Sequence, residues 1–380
     1  MKLFQCQNCG QPLYFENTRC ERCGLSLGYL PDRETITALK PDEAASSGGQ
    51  EVWRALADSN LYRYCANAAY GVCNWLIPAA VPDTYCAACR HNSMVPDLSL
   101  AENVDRWRAL EVAKHRLFYT LFQLKLPVET QAESPSGLAF QFLADVSSTG
   151  SPVMTGHADG LITISLAEAD DAERERRRHQ MGEPYRTLLG HFRHETGHYY
   201  WDRLIADTPH IDEFRRIFGD ERRDYNEALQ TYYANGAPAD WSEHFISAYA
   251  SSHPWEDFAE TWAHYFHMAD TLETAHVAGL AVNPKLPQSP GAVFNFHPRD
   301  TDMSRIVEAW VALTFAVNSL NRSMGLPDLY PFVLGPLAVA KLAFVQQRIQ
   351  EMSPPKPKAG AAGEPMTRRS MLRRVRLETT

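Results

Sequence analysis

The apolar positions of this chain change rhythm near residue 98. Before it they are irregular and interleaved with aromatic residues such as Trp53, Tyr62, Tyr64, Tyr70 and Trp75. After it they fall at helical spacing: Trp107, Leu110, Val112, Ala113, Leu117 and Leu121 predict a helix in the region that opens at about Leu98. The run from Val153 to Leu166 carries β-branched residues around a Gly turn and predicts a strand at Leu161–Leu166. That strand is either a plain core strand or a sheet edge, and an edge could take up an extended peptide by strand addition. Glu168–Gln180 is a dense charge run, read as the solvated face of a helix. A long helix should follow from near Pro184, a residue suited to a first helical turn. Further helices are expected at 210–218, 223–234, 255–269, 302–324 and 336–350. The apolar stretch Tyr330–Val345 is interrupted by Pro331, Gly335, Pro336 and Lys341, so it reads as a buried helix and not a membrane span.

Residues 31–50 are polar and become Gly/Ser-rich, which predicts a linker. From Ser353 the chain is rich in Pro, Lys, Ala, Gly and Arg, the composition of a disordered tail. The expected fold class is therefore α+β: a cysteine-rich region at 1–95, a mainly helical domain with a small β-sheet at 96–352, and a basic tail at 353–380. With 44% hydrophobic residues among 380, a large core can form. The formal net charge of -9 argues against nucleic-acid binding as the main role. Only the tail, with Arg368, Arg369, Arg373, Arg374 and Arg376, offers a cluster of phosphate contacts. MKLFQCQNCG has no apolar signal region, so a cytoplasmic, reducing location without membrane attachment is expected.

In a reducing compartment clustered cysteines are more often metal ligands than disulfides. All 8 cysteines precede residue 90. Cys6-x2-Cys9 and Cys20-x2-Cys23 are each followed by glycine, Gly10 and Gly24, which permits a tight turn whose amides face the thiolates. Four thiolates fill a tetrahedral zinc site and leave no open position, so this site is structural. Cys65, Cys73, Cys86 and Cys89 form a second set with less regular spacing, read as a second structural zinc site against the alternative of buried free thiols. Exchange of knuckles between the two sets is open at this level.

The catalytic chemistry points elsewhere. Leu189–Trp201 reads LGHFRHETGHYYW, in which His194-Glu195-Thr196-Gly197-His198 is an HExxH motif. Residues four apart share a helix face, so both imidazoles can reach one ion, while Glu195 is placed to take a proton from activated water. The flanks Leu188, Leu189, Phe192, Tyr199, Tyr200 and Trp201 argue for a buried helix, where two imidazoles and a carboxylate need a partner. A catalytic zinc needs a third protein ligand. The best candidate lies in His253–His264, a helix that Ser251 or Ser252 could cap and Pro254 could open. Glu256, Glu260, His264 and His267 fall on or near one face. Glu256 is the preferred ligand and Glu260 the group that hydrogen-bonds a ligand imidazole and fixes its tautomer, with Glu260 and His264 as rivals for the third position. His191 and Asp202 flank the motif. Asp202 could face His198 or the surface, and His157 and His244 read as ordinary polar residues.

HExGH followed by Y-x6-E-x-x-A-E, here His194, Glu195, His198, Tyr249, Glu256 and Glu260, resembles the gluzincin-like peptidases related to the anthrax lethal factor catalytic domain. The resemblance implies Glu256 as third ligand and Tyr249 near the metal, where it could hydrogen-bond the oxyanion. A wider set of stretches is similar to a bacterial family of zinc-binding metallopeptidases with an N-terminal zinc ribbon: GVCNWL, PDLS, VMTGHADGLITI, MGEPYRTLLGHFRHETGHYYWDRL, FGDERRDY and SAYASSHPWEDFAETWAHY. It covers most of residues 1–350. It implies zinc as cofactor, one catalytic ion and one or two structural ions, and a peptide or protein substrate. The alternative is a non-catalytic adaptor whose ribbon recruits a protein or nucleic-acid partner. SprT-like proteases also join HExxH to a zinc ribbon, but usually with a third His and a C-terminal ribbon, so their order fits poorly.

Overall fold

A computed structural model describes residues 1–46, 49, 51–144, 153, 155–181, 187–285 and 291–352. The basic tail and Pro184 lie outside the described residues. The chain opens on a hairpin of β1 (Phe4–Gln5) and β2 (Pro12–Leu13). An antiparallel meander follows: β3 (Ser26–Leu30), β4 (Thr35–Pro41), β5 (Trp53–Ala55), β6 (Leu61–Tyr64) and β7 (Leu76–Pro78). Its ends curl together through a bridge between Tyr29 and Trp75, with the Tyr29 amide donating to Asn74 O at 2.9 Å. The expected linker at 31–50 is thus partly strand. Ile36, Thr37, Ala38 and Leu39 are all buried, because β4 lies inside the meander and is covered on both faces.

β8 (Asn92–Met94) leads into α1 (Ala101–Gln123) and then β9 (Ala139–Leu143), β10 (Gly156–Ala158) and β11 (Leu161–Ser165). These strands form one mixed sheet in the order β10-β11-β9-β8. The expected strand at Leu161–Leu166 is present as β11, but it is not the edge: it pairs antiparallel with β10 and parallel with β9. The edge is β10.

Helices make up most of the rest: α2 (Asp171–Met181), α3 (Leu188–Leu204), α4 (Ile211–Phe218), α5 (Tyr225–Asn235), α6 (Trp241–His244), α7 (Pro254–Val277), α8 (Met303–Ser323) and α9 (Pro336–Met352). A short pair, β12 (Ala281–Val282) and β13 (Ala292–Val293), precedes α8. The chain is α+β, with a cysteine-rich β region followed by a mainly helical part. α3 starts where the Thr187 side chain accepts from Gly190 N. α7 is capped by His253, whose ring accepts from Trp255 N at 3.1 Å, and not by Ser251 or Ser252. The charge run at 168–180 is not uniformly solvated, since its first residue, Glu168, is fully buried.

One apolar core runs through both parts. Phe15, Tyr29 and Trp75 from the cysteine-rich region pack with Tyr119 of α1, and Phe118 continues through Phe140 to Phe192 of α3. Among the described residues no helix is long and apolar enough to cross a membrane. α9 is tied to α7 by a buried ion pair, Lys341 Nζ to Asp257 Oδ2 at 2.6 Å, with the ammonium 4.2 Å from the Phe245 ring. Burial pushes the Asp257 carboxyl up to about 7 despite Lys341. Lys341→Met leaves that group without its cation and is expected to cost about 3–5 kcal/mol in a denaturant titration. Asp257→Asn added to it should recover part of the loss.

Candidate metal centre

Two helices cross closely enough to bring three polar side chains together. A Cβ at Gly197 would lie 2.8 Å from Ala259 Cα, so only glycine lets α3 approach α7 to this distance. The approach brings His194 and His198 of α3 against Glu256 of α7. Their Nε2 atoms are 3.2 Å apart, His194 Nε2 is 3.0 Å from Glu256 Oε2, and His198 Nε2 is 3.5 Å from Glu256 Oε1. Ligands of a tetrahedral ion with bonds of about 2.0–2.1 Å sit about 3.3 Å from one another, so the triangle has the size a zinc ion needs. Among the described residues Glu256 Oε2 is buried with no hydrogen-bond partner, although His194 Nε2 lies 3.0 Å away. Two close polar atoms without hydrogen-bond geometry suit a shared cation. Electrostatics agree: burial disfavours the Glu256 carboxylate, yet His198 and His194 hold it well below the usual range.

The neighbours orient these three groups. His194 Nδ1 donates to Glu260 Oε1 at 2.8 Å, and Glu260 Oε2 accepts from Ser247 Oγ at 2.6 Å. Glu260 therefore faces the back of an imidazole. His264 is turned to Tyr330, its Nδ1 2.7 Å from the hydroxyl, and His267 meets Arg193. Neither joins the triangle. The Trp255 ring lies 3.8 Å from that of His198. Tyr249 stands beside the site, its ring 6.0 Å from that of His194. Glu195 is nearly buried on α3, and among the described residues no hydrogen bond or ion pair engages its carboxylate. His157 of β10 is stacked 6.5 Å from His198, with Nδ1 3.9 Å from Asp202, so the sheet edge borders the site. His191 instead faces the buried Glu168 at 3.3 Å.

Sequence reasoning missed Tyr225. Its hydroxyl donates to Glu256 Oε1 at 2.6 Å, and its ring packs edge-on against His253 and Trp255. Burial and the Glu256 charge both push its phenol up, so it stays a donor. Its local signals were its place at the end of the family-like stretch FGDERRDY and the capping residue Asp224, which fixes the start of α5, and neither points to Glu256.

The cysteines gather in the two quartets the sequence suggested, with no exchange of knuckles. Cys6 and Cys23 sulfurs are 3.7 Å apart, Cys9 and Cys20 3.6 Å, and Cys73 and Cys86 3.7 Å. Zinc–sulfur bonds of about 2.3 Å give a tetrahedral edge of about 3.8 Å, so these spacings fit the ion. Gly10 and Gly24, both at φ +74°, close the two knuckle turns.

A buried histidine–carboxylate triangle on two crossing helices, beside a ribbon of cysteine quartets, marks a zinc-binding protein of the metallopeptidase class. The chain belongs to the family described as "Putative zinc-binding metallo-peptidase", which matches residues 103–348, and a zinc-ribbon domain matches residues 3–100. Uncharacterized proteins of Mycobacterium tuberculosis and Mycobacterium bovis are 40% identical over 359 residues, 93% of this chain and 97% of theirs. No solved structure matches the chain.

Proposed function

We propose that the protein is a zinc-dependent peptidase of gluzincin type, with His194, His198 and Glu256 as ligands and Glu195 as general base. The observation that carries this reading is the convergence of His194, His198 and Glu256, with Glu256 Oε2 buried and without a hydrogen bond among the described residues, one position along α3 from a Glu195 whose carboxylate no hydrogen bond or ion pair engages among those residues. Bound zinc supplies a Lewis acid that polarises the carbonyl and lowers the pKa of water to about 7. Glu195 accepts the proton of the attacking water and passes it to the leaving amine nitrogen. Tyr249 donates its hydroxyl to the carbonyl oxygen as negative charge develops there. Tyr225 holds Glu256 Oε1, which leaves Oε2 free for the metal. β10, paired only with β11 among the described residues, offers its outer edge to an extended peptide alongside His157. Residues 96–352 carry this machinery, and residues 1–95 carry two structural zinc ions.

Elemental analysis should return three zinc ions per chain. One metal per chain with every cysteine freely alkylated in the native state would refute that count. Casein, denatured protein and a mixed peptide library should be cleaved in a chelator-sensitive way. A fully zinc-loaded chain that cleaves none of them would favour the non-catalytic adaptor instead. Tyr225→Phe should weaken zinc at the peptidase site about 10–100-fold in competition with a chromophoric chelator, as loss of a ligand's hydrogen-bond partner does. Tyr249→Phe should leave that affinity unchanged and slow hydrolysis.

A further inference from the structure

The second cysteine quartet does not close on its own region. α1, of which residues 103–123 lie within the span matched to the metallopeptidase family, sends three polar side chains toward it. His115 Nε2 is 3.3 Å from Cys73 Sγ and 3.7 Å from Cys89 Sγ, across one edge of the quartet. Its Nδ1 donates to Glu111 O at 2.6 Å and lies 3.5 Å from Glu111 Oε2, so a ring that also donates from Nε2 is the imidazolium, paired with that carboxylate on one side and the thiolates on the other. Glu111 Oε2 comes within 3.8 Å of Cys89 Sγ, and Glu111 Oε1 accepts from Lys114 Nζ at 2.9 Å, Asn92 Nδ2 at 2.7 Å and Trp107 Nε1 at 3.1 Å. Glu111, Lys114 and His115 are all buried on one face of α1, beside apolar residues such as Leu110 and Phe118.

Burying an acid, a base and an imidazole together is costly unless something charged lies beside them. A zinc ion held by four thiolates carries a net charge of −2, and hydrogen-bond donors aimed at its sulfurs offset that charge. The partner lies in the cysteine-rich region, while the donors lie on the helix that supports α3 through Phe118, Phe140 and Phe192.

We infer that the second cysteine site is a joint between the ribbon and the peptidase part, with His115 as an outer hydrogen-bond donor to Cys73 and Cys89. His115 is a positioning residue here and not a ligand. The ribbon is accordingly a built-in support of α1 and not a detachable recruiting module. The inference stands on this quartet alone and is independent of the peptidase reading.

The test uses the full-length zinc-loaded chain, with each cysteine's alkylation rate read by mass spectrometry under a fixed chelator concentration. His115→Ala should speed labelling of Cys65, Cys73, Cys86 and Cys89 about 10–100-fold, as loss of an outer-shell donor does. Cys6, Cys9, Cys20 and Cys23 should keep their rates. His115→Gln, which retains an N–H donor, should recover much of the protection and keeps the test informative if the alanine variant misfolds. Unchanged rates at the second quartet in both variants would overturn the proposal, as would equal acceleration of both quartets. So would free labelling of the second quartet in the wild-type chain. Cobalt substitution supplies a spectroscopic check. Two four-sulfur charge-transfer signatures are expected in the wild type, and one three-sulfur, one-nitrogen signature would overturn the outer-donor role by making His115 a ligand.

Discussion

Glu195→Gln is expected to leave the zinc content and the unfolding midpoint nearly unchanged while hydrolysis falls about 10²–10⁴-fold. The amide keeps the size of the carboxylate but cannot take a proton from water. Binding should survive because Glu195 stands outside the donor triangle, and stability should survive because no hydrogen bond or ion pair holds its carboxylate among the described residues. Metal analysis, thermal unfolding and peptide-library cleavage on the same preparation check all three parts. Loss of zinc in this variant would make Glu195 a ligand and remove it as the base.

Glu256→Ala should empty the peptidase site, taking the expected count from three zinc ions to two. Two imidazoles alone give an open, two-donor site, well short of the three protein ligands that catalytic zinc sites use. Glu260→Ala should act more gently, about 10–100-fold in affinity, because it releases His194 Nδ1 without removing a donor. A crystal structure with zinc on Glu260 or His264 and with Glu256 in solvent would reverse the assignment. The two variants together separate a ligand from a group that orients one.

The helical half of the fold was legible because its apolar spacing is regular. Helices expected at 210–218 and 302–324 appear as α4 (Ile211–Phe218) and α8 (Met303–Ser323). The same holds for the contacts made within α3 and α7: HExxH and the Glu256/Glu260 pair each lie on one helix, so spacing alone predicts which side chains share a face. What depended on distant packing was not legible. β4 is framed by Pro31 and Pro41, breakers that mimic a linker, and only its burial on both sides reveals it. On the β11 side the edge of the sheet moved to β10 because the three residues before the Asp159–Gly160 turn add one more strand. Tyr225 reaches Glu256 from 31 positions away, and His115 reaches Cys73 from 42. Neither distance leaves a periodic trace.

The contact between Gly197 and Ala259 has a bearing on ion choice. It joins backbone to backbone, so the separation of α3 and α7 at the proposed ligands is set by the main chain and not by rotamers. Ligand edges lengthen in proportion to the metal–ligand bond. Calcium, with bonds of about 2.3–2.6 Å and a demand for six to eight oxygens, would need a wider and more oxygen-rich frame than this crossing can open to. Size exclusion would thus be written into a single hydrogen atom, the one that stands at residue 197 in place of a side chain.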